Sequence, residues 1–542
     1  MSDARKSIFW IALAGVLIAA LYGQFLHNPI VFDDLYFFLL DNEGHSSVEQ
    51  FATLSPLDLR ALPYATLAWN AQLFGFDLPP FRIENLLLHW MVVGVLGIFV
   101  LCLYRQVLPA GTSNERTGTL TAVLIVVSLF ALHPLTVYAV GYLVQRTIVM
   151  ATLFSLLSLW AYLHGSVEGK KSWLWLSVAL YFMATHSKEH VIMLPAVMAA
   201  LTVLLHQDWR DVLRRNWPVF TGYAVAGIYT LYQVRHAVGA LYELNSAEML
   251  DGVLPENAHF YSVLTQSGLF FKYGLLWLLP NPAWLSVDMR EPLAPGLFSI
   301  YGLSLSGYLL YGFVALRLLF RRGQAGLIGF ALLFPWLMFA TEFSTVRIQE
   351  IFVLYRGYIW AVGGVIVLPL LLMQMNARLT MLVAVLVAAT FFMISMERLS
   401  TFSHPVLLWD DAEKLVKDRP QLPGAGRIYY NRGTEWLKID KFDSAIADLQ
   451  TATALSPTWA AAFGNLGAVY LKTGQNEPAI AAFGRAIELD QQQKAKPNFR
   501  HYLGRAAAYE AVEKWRAAAV DYRVSCLLAK QGCENIGGTV LH

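Results

Sequence analysis

A succession of apolar runs, each about 17–24 residues long and joined by short polar links, constrains this chain more than any other feature. A helix of that length crosses the roughly 30 Å hydrocarbon core of a bilayer. Helix is the form such runs must take, because a backbone N–H or C=O finds no water partner in lipid. The runs fall at 8–26, 83–104, 118–134, 147–164, 172–186, 190–206, 217–236, 298–320, 325–341, 351–374 and 379–396, about eleven in all. At 56% hydrophobic and 14% charged over 542 residues, a single soluble domain is excluded. The first run follows a basic start (Arg5, Lys6) and ends in His27-Asn28-Pro29 with no small-residue cleavage site, so it is expected to be a retained anchor.

Charge sets the expected orientation. With a cytosolic N-terminus, the inner loops collect Arg105, Arg116, Lys170, Lys171, Arg210, Arg214, Arg215, Arg317, Arg321, Arg322 and Arg378, while the outer loops hold single cations among acids. Segment 261–279 is apolar but carries Thr265, Gln266 and Lys272, and as a crossing it would invert the charge bias. It is expected as an amphipathic or re-entrant helix at the outer face. An odd number of crossings then puts the C-terminus outside, in the periplasm of a bacterial inner membrane.

After residue 396 the apolar runs stop and a repeat begins. Gly433, Trp436, Ala445, Leu449 and Ala452 recur 34 residues later as Gly467, Tyr470, Ala479, Phe483 and Ala486, and a third copy holds Ala506, Tyr509, Ala518 and Tyr522. That period, with small residues where paired helices touch, is the mark of tetratricopeptide repeats. The expected fold is all-α: a polytopic membrane domain over 1–396 and a repeat solenoid over 397–542 that holds an extended peptide, braces the membrane domain or mediates dimerisation. Outside the cytosol, Cys526 and Cys533 are placed to pair; Cys102 lies within a span.

The outer ends of the spans gather polar residues. Asp33 and Asp34 stand between aromatics after the first run, with Arg60, Arg82, Glu84, His89, His133, Arg146, Lys188, Glu189, Glu350, Arg356 and Tyr358 on the same side. Single cations beside an acid pair suit a lipid phosphate next to a general base. Each residue also has a plainer reading: Asp33 or Asp34 as a helix cap, His133 as a span terminator, Lys188–Glu189 as a solvated pair, Arg82 and Arg356 as snorkelling side chains. There is no Walker loop, dinucleotide glycine motif or zinc-ligand spacing, and no nucleic-acid partner is expected. An activated donor would therefore arrive in the membrane.

Several short motifs occur in one order: Val31-Phe32-Asp33-Asp34; Arg60-Ala61-Leu62-Pro63 with Asn70; Asn85 to His89; Leu132-His133-Pro134 with Gln145-Arg146; Ser187-Lys188-Glu189; Leu264-Thr265-Gln266; and Ile348-Gln349-Glu350 with Arg356-Gly357-Tyr358. In this order the chain resembles the bacterial relatives of the transmembrane-and-tetratricopeptide-repeat O-mannosyltransferases, in the GT-C superfamily of polyprenyl-phosphate-sugar glycosyltransferases. The resemblance implies transfer of a sugar from a polyprenyl-phosphate carrier to a hydroxyl, on an exported protein such as a pilin or on a glycan or glycolipid, at the periplasmic face. It implies that Asp33 and Asp34 hold or deprotonate the acceptor, with Asp33 favoured. Arg146, Lys188 and Arg356 would bind the donor phosphate, and Arg60, His89, His133, Glu189, Glu350 and Tyr358 would support them. Leu354-Tyr355 stands where the family pattern often has an acid and a histidine, so mannose does not carry over, and a divalent cation stays open. A non-enzymatic membrane scaffold is the alternative.

Overall fold

The structure is a computed structural model that describes residues 3–38, 46–109, 113–235 and 256–536. Helices occupy all eleven expected positions. They are α1 (Asp3–Tyr22), α4 (Leu78–Val107), α5 (Ser113–Ala131), α6 (Arg146–Glu168), α7 (Lys171–Ser187), α8 (Leu194–Leu205), α9 (Trp217–Val234), α11 (Ile300–Arg321), α12 (Gly323–Phe339), α13 (Gly357–Leu372) and α14 (Ala377–Thr401). Two short outer helices, α2 (Asp33–Phe38) and α3 (Ala61–Phe74), follow α1. Seven helical segments are long and apolar enough to cross a bilayer unaided. An eighth span exists if α5 is counted with Pro134–Val140, from which it is bent by 48° at His133. Helices α7, α8 and α9 are too short or too polar to qualify alone. The count of eleven is therefore one of helices, of which seven or eight meet the criterion for spanning.

The lateral surface is inverted relative to a water-soluble bundle. Val225, Ile228 and Leu231 on α9, Leu303, Leu310 and Phe313 on α11, and Leu382, Val385 and Met393 on α14 are all exposed. A contiguous apolar exterior of this extent marks contact with lipid or protein. Segment 261–279 is one continuous helix, α10 (Ala258–Leu278), and it shows the same inversion. Ser262, Thr265, Gln266 and Ser267 face inward, whereas Phe260, Phe271, Leu275 and Leu278 face out. Glycines bring the inner helices together. A Cβ on Gly329 of α12 would lie 2.3 Å from the Leu319 backbone nitrogen of α11, and one on Gly363 of α13 would lie 2.3 Å from the Ala331 carbonyl.

The last apolar helix runs to Thr401, five residues beyond the expected boundary. Helix α15 (Pro405–Val416) leads into three antiparallel pairs: α16 (Ala425–Lys438) with α17 (Phe442–Leu455), α18 (Ala460–Lys472) with α19 (Asn476–Gln492), and α20 (Phe499–Ala511) with α21 (Trp515–Ala529). Gly433 lets α16 reach Leu449, and both Gly467 and Gly504 close onto the ring of Phe483. Cys526 and Cys533 are joined at a Cα separation of 4.9 Å. Because a Cβ on Gly504 would stand 2.3 Å from Phe483, Gly504→Ala is expected to cost about 1–3 kcal/mol by overpacking. Adding Phe483→Leu should recover part of that loss in thermal unfolding of the full-length protein.

Candidate functional site

Asn28-Pro29 ends the helical run of α1, and the chain turns through Phe32, a non-glycine residue in the left-handed region (φ 54°), into α2. The two carboxylates that follow point apart. Asp34 is 1% exposed and accepts the N–H of Leu143 at 3.2 Å and of Val144 at 2.8 Å. It thus satisfies backbone donors at the turn before α6 instead of capping α2. Burial pushes its carboxyl up to about 7 against the pull of those amides and of Arg82. Asp33 is held by a 2.8 Å bond from its own N–H to the Tyr142 hydroxyl, and its side chain lines a cavity of about 210 Å³.

Around that cavity stand Arg60, Lys188, Glu350, Gln145 and Thr147, walled by Tyr36, Phe37, Tyr64 and Tyr355. Arg60 sits at the start of α3, again in the left-handed region (φ 61°). Non-glycine residues in sparsely populated backbone regions cluster at functional sites. Lys188 lies where α7 stops and the chain runs extended for one residue before the turn into α8. Such a break exposes side chains at a depth where a continuous helix would bury them.

The charges are unevenly matched. Arg60 donates to both Glu189 oxygens, at 3.2 and 2.6 Å. Arg356 is bonded to Glu342 at 2.9 Å and also to Glu350. The side chain of Lys188, a residue 6% exposed, has no hydrogen bond or ion pair among the described residues, and its ammonium stands 5.5 Å from the centre of the Tyr355 ring. Burial, then the charge of Arg60, brings its pKa down to about 7. Asp33 likewise has no ion-pair partner among the described residues. Burial and the Glu350 carboxylate raise its pKa to about 6, against the opposing influence of Tyr142, Arg427 and Lys188. The Oε1 of Gln145, buried at the cavity wall, has no donor. An orphan acceptor, a spare ammonium and a spare carboxylate on one cavity fit a ligand that is both hydroxylated and anionic.

Other expected site residues are committed elsewhere. Arg146 donates to Asn85 Oδ1 (2.7 Å), Thr66 Oγ1 (3.0 Å), Glu84 (2.6 Å) and the Phe81 carbonyl (2.9 Å), so no face is left for a phosphate. His89 bonds Tyr358 at 2.6 Å and the Ala131 carbonyl, which places both rings in the helix core. His133 bonds the Trp277 carbonyl and stacks on its ring. Arg82 does not snorkel; it bonds the carbonyls of Asn28, Pro29 and Gly141. Lys188–Glu189 is not a solvated pair, since Glu189 faces Arg60. Among the described residues no three His, Cys, Asp or Glu side chains converge as a metal ion requires. The sequence offered no mark for Tyr142 or for Arg427 of α16, and Gln145 and Tyr355 stood there only as motif neighbours without a role. Arg427 stacks over Phe32 at 5.2 Å and binds Asp288 at 2.9 Å.

Residues 460–493 match the tetratricopeptide repeat family model. Curated relatives align over short stretches. Heat shock protein STI1 of Saccharomyces cerevisiae is 31% identical over 68 residues, 12% of each chain. The Hsp70-Hsp90 organizing protein of Triticum aestivum is 33% identical over 63 residues, 12% of this chain and 11% of that one. Human serine/threonine-protein phosphatase 5 is 32% identical over 109 residues, 20% of this chain and 21% of that one. The chain thus spans between about a tenth and a fifth of these relatives. The crystal structure of the APC/C hetero-tetramer Cut9-Hcn1 covers 92% of each chain at 13% identity with a TM-score of 0.23, too low to carry an argument.

Asp34→Ala strands two amides away from water and is expected to cost about 2–5 kcal/mol. Asp33→Ala should change stability by less than about 1 kcal/mol. Thermal melts of the two purified variants in detergent check the contrast.

Proposed function

We propose that the chain is an integral membrane glycosyltransferase of the GT-C type, moving a sugar from a polyprenyl-phosphate donor to a hydroxyl acceptor. The observation that carries this reading is that Asp33 and Lys188, each without an ion-pair partner among the described residues, line one cavity beside the apolar helices. In the transfer, the Asp33 carboxylate takes the acceptor hydroxyl proton as that oxygen bonds the anomeric carbon. The bond from that carbon to the phosphate oxygen breaks, and its electron pair leaves on the phosphate. The Lys188 ammonium neutralises the leaving group, and the Arg60 guanidinium adds field from beside it. Aromatic walls and the Gln145 acceptor suit a sugar ring. Arg356, gripped by Glu342, positions Glu350 and is assigned no phosphate contact.

The repeats suit protein–protein contact, and an exported protein is the acceptor we favour, held by the solenoid near the cavity. The charge bias of the loops and the Cys526–Cys533 bridge support a bacterial inner-membrane location with the repeats in the periplasm.

With purified protein and a lipid-linked sugar pool from the native membrane, Asp33→Asn is expected to lower transfer about 100-fold or more while the protein stays folded. Undiminished transfer would defeat the proposal. Lys188→Met should raise the KM for donor more than it lowers kcat. The pH profile follows from the two groups. Activity rises as Asp33 loses its proton near 6 and falls as Lys188 loses its own near 7; Lys188→Met should abolish the descending limb and, by removing a positive charge near Asp33, move the ascending limb to higher pH.

A further inference from the structure

The first helix of the repeat domain enters the neighbourhood of the cavity. Arg427 donates from Nε to Asp288 Oδ2 at 3.0 Å, and its guanidinium covers the ring of Phe32, the residue that precedes Asp33. Asp288 belongs to the segment between α10 and α11 and is fixed by Arg290, whose Nη2 donates to it at 2.9 Å. Arg290 Nη1 reaches the Gln349 carbonyl at 3.1 Å, next to Glu350. Phe32 also packs edge-on against Trp409 of α15 at 5.2 Å. The left-handed turn that aims Asp33 is therefore clasped from the repeat side.

We propose that Arg427 is a positioning residue for the transfer reaction: anchored by Asp288, its guanidinium holds the Phe32 turn and sets a positive charge over the residue that precedes Asp33. The proposal deepens the glycosyltransferase reading and rests on it for its consequence in catalysis. The titratable groups around Asp33 are Glu350, Lys188, Arg60 and the hydroxyls of Tyr36, Tyr64 and Tyr355 on the cavity, with Tyr142 bonded to its N–H, Asp34 beside it and Arg427 over the preceding Phe32. Of these, Arg427 alone comes from the repeats. Displacing α16 would withdraw its charge from the base, so the state of the repeat domain is transmitted to Asp33 without movement of a membrane helix.

The test reads Asp33 directly. Full-length protein in detergent is labelled with a water-soluble carbodiimide and an amine across a pH series, and coupling at Asp33 is measured by peptide mass spectrometry. Because this midpoint needs no sugar donor, a failed transfer assay bears on the enzymatic reading alone, and an unmoved midpoint bears on Arg427 alone. In Arg427→Gln the midpoint is expected to rise by about half a pH unit or more, roughly threefold in the protonation constant. Arg432→Gln, which breaks the ion pairs of Arg432 with Asp410 and Asp448 in the same domain, should leave it in place. An unchanged midpoint in folded Arg427→Gln overturns the proposal. Should that variant not fold, Asp288→Asn decides by sign. Removing a negative charge lowers the Asp33 midpoint directly, whereas releasing Arg427 raises it, so a rise supports the proposal and a fall or no change refutes it.

Discussion

The Asp34 carboxylate, bound to the amides of Leu143 and Val144, ties the segment after the first apolar helix to the turn that launches α6. A carboxylate taken out of water is tolerated only when its oxygens are fully engaged, and here the partners lie more than a hundred residues away in sequence. Once that tie is made, its neighbour has little choice. Asp33 is turned to the other side, its N–H goes to the Tyr142 hydroxyl, and the strain of the turn is left on Phe32. Two adjacent acids of identical chemistry thus acquire different surroundings, one bonded to backbone amides and one lining the cavity.

The buried charges around the cavity follow the same logic. Buried ion pairs add little net stability, because desolvation offsets their attraction, but breaking one is costly. Arg60 with Glu189, and Arg356 between Glu342 and Glu350, are therefore better understood as fixed electrostatic scaffolding than as a source of stability. They engage the carboxylates of Glu189 and Glu350, neither of which forms an ion pair with Lys188 among the described residues. Burial lowers the affinity of the Lys188 ammonium for its proton, and burial together with the Glu350 carboxylate raises that of Asp33. The two meet near neutrality, where each can change state in response to a ligand.

Runs of apolar residues and a 34-residue period are local patterns, so the helices and the repeats were legible in the chain, including the helix of α10 with its polar side turned inward. Which cations were free was not. Arg146 and Lys188 look alike in sequence, single basic residues at the ends of apolar runs. The difference is that Arg146 meets Glu84, Asn85 and a carbonyl from α4, which absorb its donors, whereas the break at Lys188 leaves its ammonium on the cavity wall over the Tyr355 ring. His89 and His133 carry no mark in their flanking residues of the carbonyls that receive them. Arg427 was missed for a different reason. In a soluble repeat a charged residue is ordinarily solvated, and nothing local marks the one that docks against another domain.

Phe32 belongs to two cores at once. Its ring packs against the apolar interior of the membrane helices and against the cluster of Trp409, Ala412, Leu422 and Ile428 at the start of the solenoid. A side chain shared in this way removes the freedom of either module to shift without disturbing the other, since interiors are packed too closely to absorb a displaced aromatic. Had the repeats been a tether for partners, a polar linker between the modules would have sufficed. Instead α14 continues past the membrane helices to Thr401, and its Arg398 grips Asp411 of α15 with both oxygens at 2.9 Å. That rigid joint fixes the angle at which α16 presents Arg427 to the turn before Asp33. The turn that carries Asp33 is thus held by both halves of the chain.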